Sequence, residues 1–472
     1  MRIQTRKLVE WVDSRIGLTE TMLRPGPDYS LNVFYWLGAL MVIAFLVQGV
    51  TGVLMLLYYV PTVDQAYAST QFIIKYVPLG GLIETIHLYS AYAMILLAFM
   101  HLMRGYFVSV QKKPRELMWI VGMLMGLVVS GFGLTGYLLP WTVISKSATD
   151  VTIGMLSFLP GQLASILKFL IAGPGSDAAE LSRFFDLHIV VLPAVFIVLL
   201  AFKMYMFEIH GAAEPATGVV KKVRQVPWFP DILLYFSMLS GVFLFILLAA
   251  SVLFPLSLPP QFSPEAASSY VPQPEWYFLW IYQILKFTIF EGPAVVVPLV
   301  VLSLVLAVLL LLPIIDRGSE RNPARRPIYS TLGVMVVFEL IVLSAWGFVT
   351  PGQVISDSQA IVIVVGIALS TAFLSLLTYR TRRMLRPNHT VGRSLGRFIE
   401  TPFRFPILTV IFVLLLAISS GAFAIFVNLL PSAASNPLLL LTSILVAASS
   451  LYWMSRIVQK LAVRQHNIGV PS

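Results

Sequence analysis

The chain has 472 residues, 58% of them hydrophobic and only 11% charged, with no cysteine and a formal net charge of +10. A mean hydropathy of +0.86 excludes an ordinary soluble domain and predicts an integral membrane protein. The missing thiols exclude disulfides, cysteine-ligated zinc, iron–sulfur clusters held by this chain and thioether-linked haem.

Residues 1–30 (MRIQTRKLVEWVDSRIGLTE…) read as a polar, amphipathic cytoplasmic arm with none of the marks of a cleaved secretory signal. A hydrocarbon core of roughly 30 Å needs about 20 apolar helical residues. Ten runs meet that length, near 32–60, 83–108, 117–139, 186–207, 231–254, 293–315, 329–349, 359–379, 405–430 and 436–456. The expected fold is therefore all-α and integral to the membrane. It divides into a four-helix bundle over 31–225, a second part over 226–385, and an extra region over 386–472 with two spans.

The basic residues sort by loop. With the N-terminus cytoplasmic, one side holds Arg2, Arg6, Lys7, Arg15, Arg24, Lys112, Lys113, Arg115, Lys221, Lys222, Arg224, Arg317, Arg321, Arg325, Arg326 and the run from Arg380 to Arg404. The other side holds only Lys75, Lys146, Lys168, Arg183 and Lys286. This follows the positive-inside rule for a multi-pass protein of the plasma membrane, so nucleic acid is not needed to explain the charge.

Two outer loops are long, about 140–185 and 255–292. Loops of that length are usually functional or carry short surface helices. The first begins with GYLLPW (136–141); the second contains Pro274-Glu275-Trp276-Tyr277, an aromatic stretch suited to the membrane interface.

Three histidines lie in apolar stretches: His87 and His101 in the second span, and His188 at the start of the fourth. Ionisable side chains at membrane depth are functional-site candidates by default, although a single one is as often a packing residue. Fourteen helical residues bring His101 back within about 40° of the face of His87, roughly 21 Å along the axis. Gly38 and Gly52 in the first span and Gly122 and Gly136 in the third repeat that interval. Glycine removes bulk where a flat body approaches a helix backbone. Two planar cofactors stacked inside a four-helix bundle fit this pattern, and haem is one that histidine ligates.

The fourth span supplies His188 at the level of His87, and fifteen residues later Lys203, roughly 22 Å deeper and about 60° around. A neutral amine can bind iron; the alternative is an ammonium snorkelling to the cytoplasmic interface. His210 lies too far along the helix to face His101.

These residues resemble the cytochrome b subunit of the quinol-oxidising bc and bf complexes. The resemblance rests on the glycine pairs, His87 and His101 followed by Arg104-Gly105-Tyr106, KKPREL (112–117), GYLLPW, RFFDLH (183–188) with Pro193, PWFPDILLY (227–235) and PEWY (274–277). It covers about residues 30–380 and departs from the family at Lys203. It implies that His87 and His188 ligate a b-type haem on the positive side, and that His101 and the residue at 203 ligate a second on the negative side. Arg104 would reach a propionate, unless it is simply an interfacial arginine.

The resemblance further implies quinol oxidation, with one electron passed to a Rieske iron–sulfur partner and on to a cytochrome c-like or other acceptor. The other electron crosses the membrane through the haems. Glu275 would accept a proton in an apolar pocket shaped by Pro274, Trp276 and Tyr277, with Tyr137 and the 140–160 loop. His210 and Asp231 are candidates for proton carriers at a quinone-reducing site, although Asp231 also fits an ordinary helix N-cap. A homodimer within a larger complex, surrounded by lipid and membrane quinone, is implied too. Two other readings are a haem-bearing membrane anchor of a dehydrogenase and a scaffold or transporter without haem.

Overall fold

A computed structural model describes residues 11, 13–15, 17, 25–159, 161–216, 223–271, 273–384, 445 and 446. Most of the N-terminal arm and the two spans expected beyond residue 400 lie outside them. Among the described residues seven helices are long and apolar enough to cross a membrane. They coincide with the first seven expected runs. The eighth expected run falls within a further helix, Asp357–Met384. The chain divides into two compact units, Met1–Tyr270 with Leu304–Asn322, and Val271–Ser303 with Pro323–Ser472.

In the first unit, α1 (Leu37–Leu56), the short α2 (Ala66–Tyr76), α3 (Gly80–Val108) and α4 (Glu116–Leu138) follow in order. α1 and α3 are continuous apolar runs; α3 stops at Ser109, whose φ of 57° turns the chain out of the helix. Pro114 cannot extend a helix from its own N–H, and Glu116 then opens α4 with a carboxylate in its first turn, favourable against the helix dipole.

The first long loop carries α5 (Val143–Leu156) and α6 (Gln162–Ala172). A reciprocal capping box between Thr142 and Ser145 starts α5. α7 (Asp177–Asp186) is capped by Ser176, whose hydroxyl accepts from the Ala179 N–H. It runs into a π-helical turn, Leu187–Val191, and then into α8 (Leu192–His210). Pro193, lacking an N–H, removes a helical bond just there, which accommodates the wider turn. A two-stranded ribbon of three residue pairs joins β1 (Pro25–Pro27) antiparallel to β2 (Gln225–Pro227), and α9 (Leu233–Leu253) follows.

α1, α3, α4 and α8 form the bundle. Its buried core is Met41, Ala44, Met94, Val121, Met125, Val129, Phe196 and Met206, drawn from all four helices. At its middle, Phe45, Phe132 and Phe196 form an aromatic layer with ring centres 4.5 to 6.2 Å apart.

In the second unit, Trp276–Phe278 form one 3₁₀ turn leading into the short α11 (Leu279–Leu285), after a brief α10 (Pro264–Ser269) that belongs to the first unit. α12 (Val296–Leu310) begins in this unit and ends in the first, which also holds a single turn α13 (Leu312–Ile315); α14 (Pro327–Val349) and α15 (Asp357–Met384) follow in the second unit. Phe287, Val342, Leu343, Trp346, Ile355, Ile363 and Ile367 form the core that joins α14 to α15. α11 lies close on α14: a β-carbon on Gly347 would come within 2.7 Å of the Leu279 carbonyl oxygen.

Candidate haem-binding site

The four candidate ligands fall at two levels of the bundle. His87, on α3, and His188, in the π turn, have ring centres 6.3 Å apart and planes inclined at 64°. Two imidazoles binding one metal ion from opposite sides, each with a bond of about 2 Å, place their ring centres roughly 6 Å apart. Among the described residues no group of three or more His, Asp or Glu could hold a bare ion. His87 and His188 would instead suit haem, whose iron histidine commonly ligates.

Each ring is fixed by a threonine. The Thr51 hydroxyl lies 2.9 Å from Nδ1 of His87 and donates to the Val47 carbonyl at 2.7 Å. The Thr135 hydroxyl lies 3.1 Å from Nδ1 of His188 and donates to the Gly131 carbonyl at 2.8 Å. A hydroxyl has one hydrogen, and here it is committed to the backbone, so its oxygen accepts from Nδ1–H. Both imidazoles are thereby held as the tautomer that leaves Nε2 with a lone pair for a ligand. The Gln48 amide donates to the His87 carbonyl and to Ser90, bracing the same turn of α3.

The glycines lie against these side chains. A β-carbon at Gly52 would stand 3.3 Å from His87 Cε1, and one at Gly136 only 2.5 Å from His188 Cε1. At the other level, a β-carbon at Gly38 would stand 3.3 Å from His101 Cε1, and one at Gly122 3.0 Å from Lys203 Nζ. Lys203 is thus turned into the bundle towards α4, which the snorkelling alternative does not accommodate. His101 and Lys203 lie within electrostatic reach of one another. The two levels differ in one respect: Nδ1 of His101 is buried with no hydrogen-bond partner. Leu37 and Val121 precede Gly38 and Gly122, where threonines precede the other two glycines.

The π turn explains a spacing that the sequence leaves awkward. His188 and Lys203 are fifteen residues apart, His87 and His101 fourteen. A π turn closes five residues on and so absorbs one more residue than an α turn. The extra residue between His188 and Lys203 is taken up there, and Lys203 returns to the face that meets Gly122.

Arg104 stacks its guanidinium 3.9 Å above the ring of Tyr35. His210 ends α8, and its carbonyl accepts from Arg115 at 2.8 Å. Asp231 is exposed in the kinked segment Trp228–Ile232, where Phe229 has extended backbone (φ −107°, ψ 129°); it is not the N-cap, because Ile232 precedes α9 and no side chain caps it. Among the described residues no hydrogen bond or ion pair joins the side chains of His210 or Asp231 to either ligand pair.

In the second unit, Pro274 and Glu275 enter the 3₁₀ turn with Trp276 exposed and its ring edge-on to Tyr277 at 5.5 Å. Burial, and then the neighbouring Glu275 carboxylate, push the Tyr277 phenol above its ordinary pKa. The segment is pinned on both sides to the end of α14. Gln273 donates to the carbonyls of Gly347 and Phe348 at 3.2 and 3.1 Å, and Lys286 to the carbonyl and hydroxyl of Thr350. Tyr137 lies at the end of α4, one residue after Gly136.

A multi-pass helical membrane protein with two pairs of candidate ligands in a four-helix bundle is the class that fold and site define. The family described as "Cytochrome b(N-terminal)/b6/petB" matches residues 92–264, and "Cytochrome b(C-terminal)/b6/petD" matches 267–383. The chain is 35% identical to the cytochrome bc complex cytochrome b subunit of Chlorobaculum thiosulfatiphilum over 67% of its length and 74% of the relative's. It is 34% identical to cytochrome b of Sulfolobus acidocaldarius over 75% of its length and 68% of the relative's. A solved chain of a "Hyperthermophilic respiratory Complex III" superposes with a TM-score of 0.64 at 25% identity, covering 79% of this chain and 97% of that one. The chain belongs to the cytochrome b family of bc-type complexes.

Proposed function

We propose that this chain is the di-haem subunit of a quinol-oxidising bc-type complex. The observation that carries the reading is the His87–His188 pair, with both tautomers set by threonines and both rings seated against glycine. His87 and His188 hold one b-type haem, and His101 and Lys203 hold the second. When bound, haem iron at these positions accepts and donates single electrons.

The protein's own part is to orient and to exclude. The threonines hold Nε2 free, and the layer of Phe45, Phe132 and Phe196 keeps water from the interval between the two levels. Arg104 supplies a fixed positive charge near the second level. Glu275, at the head of the pinned segment, accepts a proton from quinol and passes it to water, with Pro274, Trp276 and Tyr277 shaping its surroundings. The reading brings with it a Rieske iron–sulfur partner, a cytochrome c-like or other final acceptor, and a dimeric assembly. The loop charges support a plasma-membrane protein with a cytoplasmic N-terminus.

A pyridine haemochrome assay on the purified protein tests the cofactor part: b-type haem is expected, two per chain. Quinol oxidation by Glu275→Gln tests the proton part. The expected result is a rate reduced by roughly 10²-fold or more, within the range for losing a general base, at unchanged haem content. An unchanged rate removes Glu275 from the mechanism.

A further inference from the structure

One charged cluster in the first unit takes no part in the function described above. The side chain of Lys146, on α5, is 5% exposed, although it carries a charge. Its ammonium is paired with Asp150 one turn on, lies 3.3 Å from Asp177 and lies 3.6 Å from Glu180, both on α7. The rings of Trp141 and Phe262 close over it, at 5.5 and 5.9 Å. Burial lowers the pKa of this amine, but the three carboxylates more than restore it, and it stands above its ordinary value. The three carboxylates therefore favour the charged form of Lys146.

One cation faces three carboxylates, an excess of two negative charges, and the carboxylates are not equivalent. Asp150 and Asp177 are 48% and 52% exposed, and water solvates them. Glu180 is 8% exposed and has the longest contact to the ammonium. Its Oε1 is buried with no hydrogen-bond partner. An ionised carboxylate with one bare oxygen in a dry site is the most costly member of such a group, and a proton removes most of that cost. The charged groups that face Glu180 are Lys146, Asp150 and Asp177. Arg183, one turn along α7, turns instead to the ring of Phe169 at 5.6 Å, and no ion pair reaches Glu180 from Lys168 on α6.

We propose that this cluster is a proton-holding site, in which Glu180 carries one exchangeable proton and gives it to water through Asp150 and Asp177. The step is a bare transfer between carboxyl oxygens and water: the O–H of Glu180 breaks, the proton passes to an aspartate or a water, and no electron moves. Glu180 stands eight residues before His188 on one helical run, roughly 12 Å along the axis. The role of the site as a station for protons released on the positive side rests on the quinol-oxidising reading. Its capacity to hold a proton does not.

Infrared spectroscopy of the full-length purified protein, titrated with pH in heavy and light water, tests it. Wild type is expected to show a protonated-carboxyl band that disappears as the pH rises, and Glu180→Gln is expected to lack it. Asp150→Asn with Asp177→Asn removes the excess negative charge from two half-exposed positions. The band should then vanish at lower pH, with proton affinity reduced by roughly tenfold or more. Persistence of the band in Glu180→Gln, or an unmoved midpoint in the double variant, overturns the proposal. Where Glu180→Gln does not fold, the double variant alone decides. A band behaving as expected in protein that neither binds haem nor oxidises quinol upholds the site and refutes the functional reading instead.

Discussion

The amine nitrogen of Lys203 lies against Gly122, where a β-carbon would come within 3.0 Å of it. The same relationship joins His101 to Gly38, His87 to Gly52 and His188 to Gly136. A lysine therefore occupies the place that a fourth histidine would take, within electrostatic reach of His101. If it ligates, Lys203→Ala should bind about one haem in place of two, keeping the His87–His188 site spectrally intact. Lys203→His should restore the second with an altered spectrum. A haemochrome assay and redox titration of the three proteins distinguish the cases: two haems with identical potentials in Lys203→Ala would show that the amine is not a ligand.

The glycine contacts rank four substitutions. Gly136→Ala sets a methyl 2.5 Å from a ring held by Thr135 in the π turn, and nothing there yields easily. Gly38→Ala and Gly52→Ala, at 3.3 Å, require shifts of a few tenths of an ångström. Gly122→Ala meets only the end of a flexible lysine. Overpacking a core typically costs about 1–3 kcal/mol, and Gly136→Ala should fall at the top of that range with the others below it. Thermal unfolding in detergent and haem content of the four purified variants give the order. A Gly136→Ala protein as stable as Gly122→Ala would contradict it.

Thr51 and Thr135 act through the histidines that they orient. Thr→Val keeps the shape but removes the hydroxyl acceptor for Nδ1–H; at His87 this leaves a buried donor unpaired at a penalty of about 1–3 kcal/mol, whereas His188 keeps a backbone bond to Phe132 and should respond less. Loss of such a supporting bond commonly lowers metal affinity about 10- to 100-fold. Haem dissociation from Thr51→Val and Thr135→Val should accelerate accordingly, with Thr→Ser restoring wild-type behaviour. His101 has no such support, so Val121→Thr and Leu37→Thr offer the converse test at the other level.

The parts of this structure that depend on repetition were legible in the sequence. Apolar runs of about 20 residues announced the spans, and the shared fourteen-residue interval tied His87 and His101 to their glycines before any contact was known. What depends on a single hydrogen bond or a single inserted residue was not. Thr51 and Thr135 look like ordinary helical threonines; their signal is that each directly precedes a ligand-facing glycine, which only the geometry makes meaningful. The fifteen-residue step from His188 to Lys203 read as a misalignment of about 60° because a uniform α-helix was assumed; the π turn before Pro193 removes it. Lys146 was counted simply as one of a few outer-side cations, since its three carboxylates converge from two helices thirty residues apart. Asp231 fitted an N-cap by residue type, but Ile232 takes that position and no side chain caps it.

In the second unit, Lys286 offers a pH-dependent handle on the segment that carries Glu275. Burial lowers its pKa to about 8 while its amine donates to the Thr350 carbonyl and, at 2.9 Å, to the Thr350 hydroxyl. An unfolded lysine titrates near ~10.4, so between about pH 8 and that value the unfolded chain binds more protons than the folded one. Stability from this group therefore rises with pH across the window, and below about pH 8 the full penalty for charging a buried amine is present. The side chain is half-buried, so solvent screening keeps the effect modest. Lys286→Met loses the two bonds to Thr350 at every pH but also loses the titration. The melting temperature of wild type relative to Lys286→Met should accordingly increase from about pH 8 to about pH 10, and a difference that stays constant over that range would mean that Lys286 is charged throughout in the folded protein.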